Sequence, residues 1–175
     1  MSGLIVYYST YGSTRDYAAA LAEKTGWPAL EMKKAGPDDI KKYKTLILAS
    51  NIRIGKMGIR KWALKHRGLL KDRQVLALIV GGNPSNVQDY YQEVCQKQLD
   101  FLKLGSAQIF GLGGRKIRAE MKGLDAFMFK MLEKMIKDGK EREDILRDVD
   151  YINLQDLDRV VIYLQENGLL TKGKK

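Results

Sequence analysis

The sequence predicts an α/β fold in which a parallel sheet lies between two layers of helices. Five short apolar runs have the character of strands, and helical patterns alternate with them along the chain. The runs are apolar throughout rather than alternating, which is typical of strands covered on both faces. The length of 175 residues suits one domain, 1–175, with an insert at about 111–150.

The first half of the chain supplies three of these strands. The first apolar run leads through a polar turn, residues 9–14, into a helix with apolar residues at helical spacing. Pro37 begins a short helix, because proline is favoured at the first helical position. The second run is weak and the third is strongly apolar. The predicted strands are Gly3–Tyr8, 29–33 and 45–50.

The second half supplies the other two strands, 74–80 and 107–110. A helical stripe between Ile59 and Leu70 precedes the fourth strand. Ser85 and Gln88 have the spacing of a capping box before the next helix. The insert follows the fifth strand, and the final helix is expected between an Asn153 cap and Gly168.

The composition excludes several kinds of site. The single cysteine, Cys95, excludes an intrachain disulfide and a cysteine metal cluster, and the single histidine, His66, excludes a multi-histidine site. The longest apolar run, residues 75–80, is far too short to span a membrane. The first residues lack a signal-peptide pattern, so we expect a cytoplasmic protein.

The net charge of +10 is concentrated in two segments. Residues 53–73 carry +7 and residues 115–122 carry +3, so the rest of the chain is neutral. Both segments begin in loops at the carboxyl ends of predicted strands, where ligands bind in such folds. The cations expected nearest that crevice are Arg53, Lys56, Arg115, Lys116 and Arg118. On charge alone, an anionic partner and a merely solubilising surface are both open interpretations.

The loop at residues 9–14 has the composition of a phosphate site. Ser9, Thr10, Ser13 and Thr14 offer hydroxyl donors just before a helix start, where backbone N–H groups and the helix dipole attract anions. Gly12 permits a tight turn. The loop has no lysine and matches neither a nucleotide-triphosphate loop nor a dinucleotide turn. It therefore suggests a monophosphate cradle, with an ordinary capped turn as the alternative.

The run LIVYYSTYGSTRDYA resembles the phosphate loop of flavodoxin-like proteins, which bind FMN. The run IKKYKTLILASNIRIGK is similar to that family's third strand and flavin loop. Together, ASNIRIGK and GLGGRKIRAEMKGLDAFMFKMLEKMIKDGK resemble a narrower group, the menaquinone-dependent protoporphyrinogen dehydrogenases. The broad resemblance covers nearly the whole chain and implies strand order 2-1-3-4-5, with a helical insert after the fifth strand.

The resemblance also implies roles for three loops. The first loop would hold the FMN phosphate, and two later loops would lie on either side of the flavin ring. Neither later loop contains an aromatic residue, which implies an open flavin that a substrate can approach. The implied cofactor residues are Ser9, Thr10, Tyr11, Gly12, Ser13, Thr14, Asn51, Ile52, Arg53, Ile54, Gly55, Gly81, Gly82 and Asn83.

Single residues outside the loops have a structural and a functional interpretation. His66 and Cys95 lie on apolar helix faces, so a packed histidine and a buried, inert thiol are favoured. Arg53 is a catalytic candidate, because a cation there could stabilise reduced flavin or a substrate carboxylate. The insert carries large apolar side chains at helical spacing, which suits core packing, a dimer seam, a pocket wall or a surface that touches a membrane.

The sequence thus predicts an FMN-binding redox protein, and an oxidoreductase acting on a quinone or porphyrinogen-type partner is favoured. One alternative is an electron carrier that docks a protein partner. A second is a flavin-free interaction module. A homo-oligomer and peripheral contact at the inner membrane face are compatible with the insert. No metal site is visible, and nucleic-acid binding is disfavoured because no recognised motif accompanies the charge.

Overall fold

The computed structural model describes residues 2–53, 55–81, 87–104, 106–137, 139, 143 and 146–171. Its main sheet contains β1 (Gly3–Tyr8), β2 (Ala29–Glu31), β3 (Thr45–Arg53), β4 (Lys56–Met57), β5 (Gln74–Gly81) and β6 (Gln108–Gly113). Five of these strands pair in parallel in the order β2-β1-β3-β5-β6. The predicted α/β class and the predicted order of the five main strands are therefore confirmed.

Helices cover both faces of the sheet, as the continuous apolar strands predict. The α-helices with described bounds are α1 (Ser13–Thr25), α2 (Pro37–Lys42), α3 (Arg60–Leu70), α4 (Val87–Phe101), α5 (Leu124–Met135) and α6 (Asp158–Glu166). Side chains of α2, α3 and α4 pack on one face, and side chains of α1 and α6 pack on the other. Each strand therefore contributes alternate side chains to two separate cores.

The third strand is longer than predicted. β3 continues to Arg53, and its end pairs in antiparallel fashion with β4 through Ile52↔Met57 and Arg53↔Lys56. Gly55 has φ 65° at the turn, a backbone conformation that glycine adopts without strain. The expected loop after the third strand is thus a short hairpin that projects beyond the sheet.

The insert contains both a hairpin and a helix. β7 (Arg115–Lys116) pairs in antiparallel fashion with β8 (Val149–Asp150), and α5 lies between them in the chain. The Asn153 side chain accepts a hydrogen bond from the Gln155 N–H, as the predicted cap requires. Ser85 of the predicted capping box lies outside the described residues. In the described part of the chain, every helix is too short or too polar to cross a bilayer.

Candidate functional site

A cavity of about 200 Å³ opens at the carboxyl ends of the central strands. Its wall combines the loop after β1, the end of β3, the end of β5, the β7 segment and the start of the insert. The lining residues are Ser9, Thr10, Tyr11, Ser13, Thr14, Asn51, Ile52, Arg53, Val80, Gly81, Gly114, Arg115, Lys116, Ile117, Met121, Asp125 and Phe129. The cavity thus lies where the α/β fold predicts a ligand.

The first loop forms the polar end of this cavity. The Gly12 N–H donates a hydrogen bond to Ser9 Oγ at 3.1 Å, and Gly12 has φ 96°. The turn brings Ser13 and Thr14 to the first positions of α1, where both side chains are buried. Helix α1 starts beside the cavity, so its first N–H groups and its positive dipole end lie at the site.

The end of β3 forms a second wall and is tied to the first loop. Asn51 Nδ2 donates to Thr10 Oγ1 at 2.9 Å. The hairpin beyond it is held by Gln98 of α4, whose Nε2 donates to the Gly55 carbonyl oxygen at 3.0 Å and whose Oε1 accepts from the Met57 N–H at 3.0 Å. The hairpin position is therefore fixed from the side away from the cavity.

Asp125, at the start of α5, joins the two walls. Its carboxylate accepts a hydrogen bond from the Tyr11 hydroxyl at 2.5 Å and forms an ion pair with the Arg53 guanidinium. Burial raises the pKa of Tyr11 above its ordinary value, and the hydrogen bond and charge of Asp125 raise it further. The phenol therefore stays protonated and continues to donate to Asp125 at neutral pH.

Arg115 and Lys116 make the opposite wall basic. The Arg115 N–H donates to Ser13 Oγ at 3.2 Å, and Arg115 Nη2 donates to the Tyr11 carbonyl oxygen at 3.3 Å. The Lys116 ammonium lies 5.6 Å from the centre of the Phe129 ring. Burial lowers the pKa of Lys116. The two hydrogen bonds of Arg115 thus connect the insert to the first loop, in addition to the hydrogen bond between Asp125 and Tyr11.

Several buried polar atoms of the wall have no hydrogen-bond partner. Among the described residues, the buried side-chain atoms without a partner are Thr14 Oγ1, Asn51 Oδ1, Arg53 Nε, Arg115 Nε and Arg73 Nε, and all except Arg73 Nε belong to cavity-lining residues. Buried polar atoms without partners are uncommon in folded proteins. Their concentration here indicates a polar ligand that both donates and accepts hydrogen bonds.

The structure brings together most of the predicted cofactor residues. The predicted residues that line the cavity are Ser9, Thr10, Tyr11, Ser13, Thr14, Asn51, Ile52, Arg53 and Gly81. Gly12 shapes the first loop, and Gly55 shapes the hairpin. Ile54, Gly82 and Asn83 lie outside the described residues. Of the five cations expected at the crevice, Lys56 and Arg118 are not in the wall.

Two features of the site differ from the sequence-based expectation. Although the two later loops lack aromatic residues, the insert contributes the aromatic Phe129 to the cavity wall. Arg53 is not an unpaired cation, because Asp125 neutralises it. Asp125 and Phe129 are four residues apart and share one face of α5. The spacing shows that they share a face, but not that this face meets the cavity.

His66 and Cys95 are structural. The His66 ring centre is 4.5 Å from the Trp62 ring, and its Nδ1 lies 2.9 Å from the Trp62 carbonyl oxygen, to which it donates. Cys95 is fully buried, and burial raises the pKa of its thiol to about 12. The packed histidine and the buried thiol are therefore confirmed, and the inertness of the thiol stays a prediction.

Known structures include several of similar fold. An archaeal flavodoxin is 17% identical (TM-score 0.44), and the match covers 63% of this chain and 78% of that one. Flavodoxin 2 from Bacillus cereus is 18% identical (TM-score 0.46), with 65% and 82% covered. Rubredoxin oxygen:oxidoreductase from Desulfovibrio gigas is 17% identical (TM-score 0.45), with 64% of this chain but only 29% of that one covered. Likeness at this level does not bear on function.

No curated protein matches the chain at a significant level. The model of the flavodoxin domain, in contrast, matches residues 4–144, a range that runs from β1 through α5. That range includes every residue of the cavity wall. The chain therefore belongs to the flavodoxin-domain family, whose cofactor is FMN.

Proposed function

We propose that the chain is an FMN-dependent oxidoreductase that acts on a quinone or a porphyrinogen-type substrate, in the manner of the menaquinone-dependent protoporphyrinogen dehydrogenases. The observation that carries the proposal is the placement of the insert. Helix α5 contributes Asp125 and Phe129 to the wall of the cofactor cavity. An electron carrier has no evident use for an additional helix there, whereas an enzyme needs a surface that receives a large apolar substrate.

The residues present fit FMN. The hydroxyls of Ser9, Thr10, Ser13 and Thr14 and the start of α1 would hold its phosphate, since Thr14 Oγ1 is buried and without a partner. Asn51, Ile52 and Gly81 would lie toward the ring, with the side-chain amide oxygen of Asn51, Oδ1, still without a hydrogen-bond partner. Roles for Ile54, Gly55, Gly82 and Asn83 stay predictions. FMN, when bound, supplies the hydride and electron chemistry of the reaction.

The protein itself would contribute to the reaction by orienting the substrate and by excluding water from the cavity. Phe129, Ile117 and Met121 give the cavity an apolar side, which suits a flat hydrophobic substrate. Arg115 and Lys116 give it a positive side, which suits carboxylates or other anionic groups of the substrate. Arg53 and Arg115 each have an acidic partner, Asp125 and Glu120 respectively, and both line the cavity together with Lys116.

The test compares two phenylalanines on the same helix. Phe129→Ala removes a ring from the cavity wall, whereas Phe127→Ala removes a ring whose residue is 59% exposed. Both proteins would be measured for FMN content by absorbance and for reduction of a water-soluble naphthoquinone and oxidation of protoporphyrinogen. We expect Phe129→Ala to lose most of its turnover and Phe127→Ala to keep it. Equal turnover in both variants would contradict the substrate assignment and favour an electron carrier that needs a protein partner.

We also propose that α5 brings the protein to an anionic membrane surface. Phe127, Met131 and Met135 recur every four residues and are 59%, 47% and 69% exposed, so they form one outward stripe. The exposed Lys130 and Lys134 lie beside this stripe. A stripe of apolar side chains next to lysines matches the boundary between anionic headgroups and acyl chains.

The charges of Lys130 and Lys134 also disfavour a homo-oligomer whose interface is formed by α5. A twofold interface would place the lysines of one copy near those of the other. Sedimentation with vesicles containing phosphatidylglycerol, compared with pure phosphatidylcholine vesicles, tests the membrane proposal. Binding to the anionic vesicles should disappear in Phe127→Ser/Met131→Ser/Met135→Ser. A dimer in solution that this variant dissociates, with no vesicle binding by the parent protein, would show that a second copy covers the stripe instead.

A further inference from the structure

Asp125 is the only acid among the described residues of the cavity wall. The other charged groups that line it are Arg53, Arg115 and Lys116, all cations. The Asp125 side chain is 13% exposed, and it contacts two residues from the body of the fold, Tyr11 and Arg53. The insert therefore contributes to the cavity a single negative charge that is close to one of its cations.

Charges in this position act strongly on their neighbours. The Asp125 side chain is 13% exposed and the Arg53 side chain is 36% exposed, so the field of Asp125 is screened less than that of a surface group. The Arg53 guanidinium keeps one N–H, at Nε, without a partner, while its charge is offset by the Asp125 carboxylate. Removing the carboxylate would leave the guanidinium in place with its charge uncompensated.

We infer that Asp125 is a tuning residue that acts through Arg53, and that it holds down the reduction potential of bound FMN and the preference of the cavity for anionic ligands. The inference rests on FMN binding in this cavity. Reduction adds negative charge to the site, so a nearby cation favours the reduced state and a nearby anion disfavours it. A nearby cation also strengthens binding of the FMN phosphate, and a nearby anion weakens it, because the phosphate is negatively charged.

The experiment measures two quantities that do not depend on turnover. One is the midpoint potential of the FMN-loaded protein, by spectroelectrochemical titration. The other is the ratio of the dissociation constants for riboflavin and FMN. Asp125→Asn adds one positive charge to the cavity and should shift the potential to a more positive value and increase the preference for FMN several-fold. Both effects should shrink as the salt concentration rises.

Two further variants separate charge from structure. Glu133→Gln changes the charge of the same helix by the same amount and breaks an ion pair with Arg118, but Glu133 does not line the cavity. It should leave both quantities close to those of the parent protein. Asp125→Asn/Arg53→Gln restores the formal charge of the cavity and should return the potential toward the parent value.

Each result then has a defined meaning. An unchanged potential in a folded, FMN-loaded Asp125→Asn protein, or an equal shift in Glu133→Gln, would overturn the inference. If Asp125→Asn alone does not retain FMN, retention by the double variant supports the charge balance. Loss in both would show that Asp125 is a structural anchor and would overturn the tuning role. Failure of the parent protein to bind FMN would reject the proposed function itself, before any variant is compared.

Discussion

The Tyr17 hydroxyl donates a hydrogen bond to the Gly113 carbonyl oxygen at 2.9 Å and accepts one from the Asn153 N–H at 2.9 Å. One phenol in α1 therefore joins the end of β6, where the insert begins, to the segment just after β8, where the insert ends. The site at the carboxyl ends of the strands depends on this connection, because Arg115 and Lys116 follow directly after β6. Tyr17 is fully buried and Gly113 is buried as well, so the Gly113 carbonyl oxygen depends on this hydroxyl for its hydrogen bond, whereas Asn153 is exposed.

Tyr17→Phe should lower the free energy of unfolding by about 1–3 kcal/mol, because it leaves a buried carbonyl and a backbone N–H without their partner. Chemical denaturation monitored by circular dichroism measures the change. Tyr163→Phe is the matched control, since the Tyr163 ring packs edge-on against Phe110 and its hydroxyl has no assigned partner in the described structure. Equal stability of the two variants would contradict the connecting role of Tyr17.

The same phenol predicts a dependence of stability on pH. Burial raises the pKa of Tyr17 above its ordinary value of 10.0. The folded state therefore holds the proton more tightly than the unfolded state, so the stabilising contribution is complete below pH 10 and is lost as the pH rises through the folded pKa. The parent protein should thus lose stability more steeply than Tyr17→Phe as the pH rises above 10, as measured by urea denaturation.

The Cys95 thiol should be inert in the folded protein. Burial raises its pKa to about 12, so almost none of it is thiolate at pH 8, and the side chain is closed to reagents. We expect Ellman's reagent to react with one thiol per chain in guanidinium chloride and with almost none in buffer. Rapid reaction of the native protein would show that α4 opens readily or packs differently.

Gly81 lies at a place where the sheet leaves no room for a side chain. A Cβ there would be 1.4 Å from the Tyr91 hydroxyl oxygen and 2.3 Å from Tyr91 Cζ. Gly81→Ala should therefore destabilise the fold by about 1–3 kcal/mol, the usual cost of overpacking. The double variant Gly81→Ala/Tyr91→Leu should recover part of that loss in a thermal unfolding experiment. Simple addition of the two single effects would contradict the steric explanation.

The sequence was sufficient to predict the sheet and the first wall of the site. Four of the five main strands contain continuous apolar runs, and the hydroxyl-rich loop with Gly12 is local in the chain. Both are short-range patterns, and periodicity and composition report such patterns directly. The prediction ends the third strand at Ser50, but pairing with β4 extends it to Arg53.

The position of Asp125 could not be predicted, because it depends on tertiary structure. Tyr11 and Asp125 are separated by 114 residues in the chain. The helical pattern of α5 showed which residues share a face, but not which face meets the cavity. That orientation is fixed by the contacts of Arg115 with Ser13 and Tyr11 and by those of Asp125 with Tyr11 and Arg53. Long-range ion pairs of this kind leave no signal in a single sequence.

The turn at Gly12 carries the most direct prediction about the cofactor. Gly12 has φ 96°, which is strained for any other residue, and a Cβ there would lie 3.4 Å from Arg15 Nη2 and 3.7 Å from Arg115 Nη2. Gly12→Asp adds backbone strain and a negative charge beside the expected phosphate. It should weaken FMN binding at least about tenfold, since a single charge interaction of about 1.4 kcal/mol is enough for that factor.

Two comparisons make this prediction specific to the phosphate. Gly12→Asp should weaken riboflavin binding much less than FMN binding, because riboflavin has no phosphate to be repelled. Gly68→Ala, on the open surface of α3, is the control for replacing a glycine and should leave FMN binding unchanged.

Thr14→Val removes one hydroxyl and should cost about 1–3 kcal/mol of FMN binding, the scale of a hydrogen bond to a charged group. Fluorescence titration of the apoprotein measures all of these constants. Equal affinity of the parent protein for riboflavin and FMN would place the phosphate outside this loop.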